Sequence, residues 1–244
     1  MSEAKTFNDF LESQGQVYDK FRATSAEVGV SRGIEKDPGT EPQGAFLVAW
    51  RYPDEKSALI QEFSLEISDL VAAIPYGIDN AHTTVSDYGL KPELVINPGD
   101  NIDHQEILSN LGLAVRKALD ISENSKVSGF GVEFEDTPTN GKSIIATGIP
   151  TESIWQLNQQ ILKQANALGI DLGGSWGTHM TVSRFLEDKP TESRAVAGLM
   201  KLIKETPAIG PIKPVAIDVG FFHSSPDGFK FTTSDRFEIA KSNF

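Results

Sequence analysis

His179-Met180-Thr181-Val182-Ser183-Arg184-Phe185, HMTVSRF, is the second writing of a pattern that the chain already carries as HTTVSDY from His82 to Tyr88. Both read His-x-Thr-Val-Ser-x-aromatic, 97 positions apart. Alternate residues of a strand share a face. Read as strands, the first stretch gathers His82, Thr84, Ser86 and Tyr88 on one face, and the second gathers His179, Thr181, Ser183 and Phe185. Valine falls on the opposite face in both, and simple alternation turns Arg184 away with it. A face of imidazole and hydroxyls suits a polar cleft better than a core.

The similarity continues outward at the same offset. Ala49 matches Ala146, Pro53 matches Pro150, Glu55 matches Glu152 and Gly77 matches Gly174, and each proline precedes its histidine by 29 residues. Strand, Pro, helix, Gly, strand therefore recurs as a unit. The pattern predicts an α+β protein of two pseudo-symmetric β-α-β-α-β lobes, about 44–140 and 141–244, with antiparallel sheets and outer helices around a central cleft. In the first lobe, strand GAFLVAWRY (44–52) precedes a helix over 55–74 with Leu59, Phe63, Ile67, Leu70 and Ile74 on one face. Another helix begins near Asp103, where Asp103 and Glu106 suit a capping box. In the second, a helix over 152–168 has Ile154, Ile161, Ala165 and Leu168 in phase, and a hairpin around SSPDG closes the chain. Residues 1–43 stand apart as an appendage. Phe7, Phe10, Leu11, Gln14, Val17, Tyr18 and Phe21 fall at helical spacing after Thr6, a suitable N-cap, and a turn-rich connector follows.

Composition excludes several function classes. At −12 the net charge is of the wrong sign for an extended nucleic-acid track, whose affinity rests on neutralising phosphates. A small anion or the end of an oligonucleotide can still enter a locally positive cleft. Cysteine is absent, so thiolate zinc sites, disulfides and cysteine nucleophiles are excluded. No apolar run approaches the roughly 18 residues of a membrane span, and MSEAKTFNDF lacks a signal-peptide pattern. A cytoplasmic protein with no membrane association, and a monomer, is expected.

Two imidazoles facing one another suit general acid–base chemistry, because their ordinary pKa of about 6.5 lets one take and the other give a proton near neutrality. Displacement at a phosphodiester needs both roles, together with donors for the charge on the non-bridging oxygens, which hydroxyls two residues on can supply. HTTV and HMTV resemble the paired H-x-[ST]-hydrophobic signature of the 2H phosphoesterase superfamily. That family includes RNA 2',3'-cyclic phosphodiesterases, the proteins named 2'-5' RNA ligases, and cyclic phosphodiesterases acting on ADP-ribose cyclic phosphate. The resemblance runs from about residue 44 to the end and leaves out residues 1–43, whose extra helix is similar to a bacterial branch. It implies the two-lobed LigT-like fold, His82 and His179 as the acid–base pair, Thr84 and Thr181 as phosphate holders, and catalysis without metal or cofactor. Members of the RNA-ligase branch often carry arginine five residues after the second histidine, as Arg184 stands here; the first motif has Asp87 instead.

Further substrate contacts are assigned to Trp176, in GGSWG just before the second motif, and to Tyr88 and Phe185 at the motif ends. Each aromatic could stack on a base or simply pack the lobes together. His104 and His223 lack metal-ligand spacing and are read as a helix-start residue and a hairpin residue. The implied activity is hydrolysis of a 2',3'-cyclic phosphate on a nucleotide or short RNA end. Its alternatives are a non-catalytic nucleotide-binding module, or a phosphodiesterase acting on a cyclic dinucleotide, a 2'-5' oligoadenylate or ADP-ribose cyclic phosphate.

Overall fold

The computed structural model describes residues 6–86, the backbone of 95–96, and residues 104–125 and 129–239. Tyr88 and the capping residue Asp103 lie outside these. Thr6 caps the first helix, α1 (Phe7–Glu27): its hydroxyl accepts from the Asp9 N–H at 3.1 Å, and the Asp9 carboxylate accepts from the Thr6 N–H at 3.0 Å. This reciprocal pairing satisfies two of the donors that a helix start leaves unpaired.

Strand β1 (Gln43–Arg51) is buried on both faces, which is why its sequence reads as a continuous apolar run. Phe46, Val48 and Trp50 enter the main core beneath the helices, while Ala45, Leu47 and Ala49 enter a smaller cluster with Ile74, Tyr76, Phe222, Phe229 and Phe231. Helix α2 (Asp54–Leu70) is shorter than the expected 55–74 and rotated from the expected face. Ile60, Phe63, Ser64 and Ile67 are buried, whereas Leu59 and Leu70 are exposed. Pro75 disfavours helical geometry at Ile74, and residues Ala73–Pro75 form strand β2 instead, paired with β7 (Thr178–Phe185).

The remaining elements are β3 (His82–Thr84), β4 (Val95–Ile96), α3 (His104–Asn124), β5 (Val132–Asp136), β6 (Ser143–Pro150), α4 (Glu152–Ala167), α5 (Arg194–Glu205), β8 (Gly210–Ile212), β9 (Ala216–Ser225) and β10 (Gly228–Glu238). They form two antiparallel sheets, one in the order β10-β9-β1-β3 with β4 beside β1, the other in the order β2-β7-β6-β5-β8. These sheets are not the two halves of the sequence. β2 and β5 pair in the second sheet, and the closing hairpin β9–β10 completes the first. The exchange ties both halves into one core, and the indole of Trp50 donates to Asn158 of α4 at 2.8 Å. Among the described residues no helix is long and apolar enough to cross a membrane.

Candidate active site

β3 and the start of β7 bring the two histidines near each other, and Ser86 bridges to Gly174 just ahead of Trp176. Each ring is held the same way. His82 Nδ1 lies 2.6 Å from the carbonyl of Asn80, and His179 Nδ1 lies 3.2 Å from the carbonyl of Gly177. A carbonyl only accepts, so each neutral ring carries its proton on Nδ1 and keeps the Nε2 lone pair free to act as a base. Aromatic rings fix the ring planes. His82 stacks on Phe229 at 5.7 Å and Phe231 at 6.1 Å, and His179 stacks on Trp176 at 4.0 Å.

Burial pulls both imidazoles down to about 4, against a smaller upward pull from the carbonyl each one faces. Arg51 and Arg184 depress His82 further. His82 depresses His179, so a charge on one ring is felt at the other. The free site therefore holds two neutral imidazoles at neutral pH.

The second motif strand departs from simple alternation. Along β7, Thr181 pairs with Ile145 and Ser183 with the adjacent Ile144, so the register slips at Val182. This bulge reverses the faces beyond it. His179, Thr181 and Arg184 are partly exposed on one face, while Val182, Ser183 and Phe185 are buried. Phe185 is thus not on the cleft face. Its ring is fully buried in the main core, and Ser183 donates to the Ile74 carbonyl at 3.2 Å. Arg184 turns into the cleft, where its Nε donates to Tyr76 Oη at 3.0 Å and its Nη1 meets Asp37 at 2.9 Å. Asp37 belongs to the connector after α1, which crosses from one sheet to the other. Its N–H donates to Phe185 O at 2.9 Å, and Gly39 O accepts from Ser224 Oγ at 2.7 Å.

A cavity of about 270 Å³ opens between these elements. Thr84, His179, Arg184 and Trp176 line it, as do Ser86 and Ser175. Its remaining wall comes from the connector (Gly39), the first residue of β1 (Gln43) and the closing hairpin (Phe222, Ser224, Phe229), segments that no motif marked. Thr181 shares the His179 face but is not in this wall, and His82 lies behind Phe229 and Phe231. Ser86 was visible in the repeat as the fourth residue after His82. Its Oγ is buried with no hydrogen-bond partner among the described residues. A buried hydroxyl without a partner is costly, and one in a cavity wall is available to a ligand. Trp176 offers one face to His179 and is met edge-on by Tyr18 and Phe21 of α1. Of the other histidines, His104 stacks on Phe221 at 5.5 Å, and His223 is exposed on β9.

No family model matches the chain, and no curated protein is similar to it in sequence. Solved structures are similar in fold. Escherichia coli LigT in its apo form superposes with a TM-score of 0.51 at 13% identity, covering 82% of this chain and 99% of LigT. A crystal structure of a phosphoesterase gives 0.50 at 15% identity over 82% of this chain and 100% of its own. The fold is that of LigT. A phosphate complex of LigT gives 0.50 at 14% identity over the same 82%, and 99% of that chain. The LigT fold is the architecture that the paired motifs implied, two antiparallel sheets flanked by helices with one motif strand in each.

Proposed function

We propose that the chain is a metal-independent phosphodiesterase that hydrolyses a 2',3'-cyclic phosphate, or a related phosphodiester, on a nucleotide or short RNA end, with His82 and His179 as the acid–base pair. The observation that carries this reading is the matched presentation of the two rings, each giving Nδ1 to the carbonyl two residues before it. A binding module needs donors to a phosphate, but it has no use for two rings whose Nε2 atoms are both kept for proton transfer.

In the reaction, Nε2 of one histidine takes a proton from water as the water oxygen bonds to phosphorus. The P–O3' bond breaks, and the protonated Nε2 of the other histidine delivers its proton to O3', leaving a 2'-phosphate. The incoming diester is anionic and sits beside rings that burial keeps neutral, so its charge favours the imidazolium that serves as acid. Thr84, Thr181 and Ser86 supply hydroxyls and Arg184 a guanidinium to the non-bridging oxygens. A cavity of about 270 Å³ is just below the range of about 300–1,000 Å³ for small-ligand sites and suits a single nucleotide or chain terminus. Trp176 and Phe222 flank it as surfaces for a base or ribose. The acidic chain, −12 overall, favours such compact substrates over polymeric RNA.

The test is turnover of 2',3'-cyclic AMP and of a short RNA ending in a cyclic phosphate, with and without EDTA. Hydrolysis to the 2'-phosphate, unchanged by EDTA, is expected. Loss of turnover on chelation would refute the metal-free mechanism. Binding of both ligands without turnover would favour the binding module.

A further inference from the structure

The carbonyls that receive the two Nδ1–H groups are fixed by different means. In the turn before β3, Asn80 fixes itself. Its Nδ2 donates to Phe229 O at 2.7 Å and its Oδ1 accepts from Phe231 N at 3.2 Å, so the residue that faces His82 is tied to β10 by its own side chain. At the offset of 97, the residue in Asn80's place is Gly177, which has no side chain to offer.

The Ser175 hydroxyl donates to the Gly177 carbonyl itself at 2.6 Å, and helix α1 holds the other side of the same peptide. Gln14, 2% exposed, donates from Nε2 to Gly148 O at 3.2 Å and accepts the Thr178 N–H on Oε1 at 2.9 Å. The buried hydroxyl of Tyr18 donates to the Thr178 carbonyl, with Gly148 O 3.2 Å away. A Cβ at Gly177 would meet Gln14 Cβ and Tyr18 Oη at 3.3 Å, so these two side chains occupy the room that an asparagine there would need. The contact reaches the imidazole by a second route. Trp176, stacked on His179, is met edge-on by Tyr18 at 6.0 Å and Phe21 at 5.5 Å. Most buried amides and hydroxyls are hydrogen-bonded. Here the bonds from Gln14 and Tyr18, apart from a long one between the two side chains, end on the backbone at Thr178 and its ladder neighbour Gly148.

We propose that α1, together with the local Ser175 hydroxyl, positions His179, and that Gln14 and Tyr18 are positioning residues which hold the Gly177–Thr178 backbone as the Asn80 side chain holds the equivalent backbone at His82. The effect on the ring is independent of the phosphodiesterase reading; only the effect on rate rests on it. A group that sets a tautomer through another residue acts on kcat more than on binding.

The test uses the full chain labelled with 15N-histidine, comparing wild type with Gln14→Ala and Tyr18→Phe. Tyr18→Phe removes a single oxygen. Arg22 with Asp136 at 2.7 Å and Phe7 against Trp155 dock the helix elsewhere, so a folded variant is available. In wild type the Nδ1 and Nε2 signals of both rings are well separated, as the Nδ1–H tautomer requires. In each variant the two His179 signals converge while those of His82 stay, and kcat for cyclic phosphate hydrolysis falls about tenfold with KM within about twofold. His179 signals unchanged in both variants, or His82 signals moved equally, would overturn the proposal. If the His179 signals shift but wild type turns over no cyclic phosphate, this assignment stands and the hydrolytic reading falls.

Discussion

An imidazole that gives its Nδ1–H to a backbone carbonyl keeps the lone pair of its other nitrogen free, and His82 and His179 are both bound this way inside aromatic surroundings. Burial holds both near 4 in the folded chain, against about 6.5 when unfolded. As pH falls below about 6.5, the unfolded chain takes up these protons first. The stability that rests on the neutral rings is therefore complete above that pH, is lost between about 6.5 and 4, and changes no further below. The loss is on the order of 3 kcal/mol per histidine. Urea unfolding at pH 7.5 and 4.5 should show a smaller loss in a His82→Asn, His179→Asn double variant than in wild type; equal losses would show that the rings are not held neutral. The pair itself was legible in the sequence as a repeat. Which neighbours share the cleft was not, because alternation assumes an unbroken ladder. One extra residue at Val182 sends Arg184 into the cleft and Phe185 into the core, and nothing in Thr-Val-Ser distinguishes a bulged strand from a regular one. Ser86 and Ser183 show the same limit, since they occupy matching motif positions but one Oγ is unpartnered at the cavity and the other bonds Ile74.

At the level of elements, the helix with a single apolar stripe was readable and the one with two was not. In α4 the expected Ile154, Ile161 and Ala165 are the buried face. In α2, leucines and isoleucines occupy two stripes, and the buried one follows Ile60, Phe63 and Ile67, where Ser64 also fits because its hydroxyl donates to Val182 O at 2.7 Å and accepts from Tyr76 N at 2.8 Å. Side-chain partners of this kind leave no periodic trace. Ile60→Ala should cost about 2–4 kcal/mol of unfolding free energy, and Leu59→Ala about 0.5 kcal/mol or less. Thermal or urea denaturation of the two variants separates the faces, and the reverse order would mean that α2 is rotated.

The two sheets of the molecule are interlocked, because β2, β5 and the closing hairpin each pair outside their own half of the sequence. Repetition at one offset predicted two equivalent motif strands, but it could not predict this exchange, which depends on which sheet edge each strand meets. The cavity wall carries no motif for the same reason, since Gly39 of the connector, Gln43 at the start of β1, and Phe222 and Ser224 of the hairpin are brought to the site only by tertiary packing. What the molecule has at its centre is a pair of like-presented histidines. If they act as one acid–base unit, their removal is not additive. The direct measurement is the rate of 2',3'-cyclic AMP hydrolysis by wild type, His82→Ala, His179→Ala and the double variant, each checked for folding. Either single change should lower kcat by about 10²–10⁴, and the second should add little. A single variant that keeps wild-type turnover, or two losses that multiply in full, would contradict it.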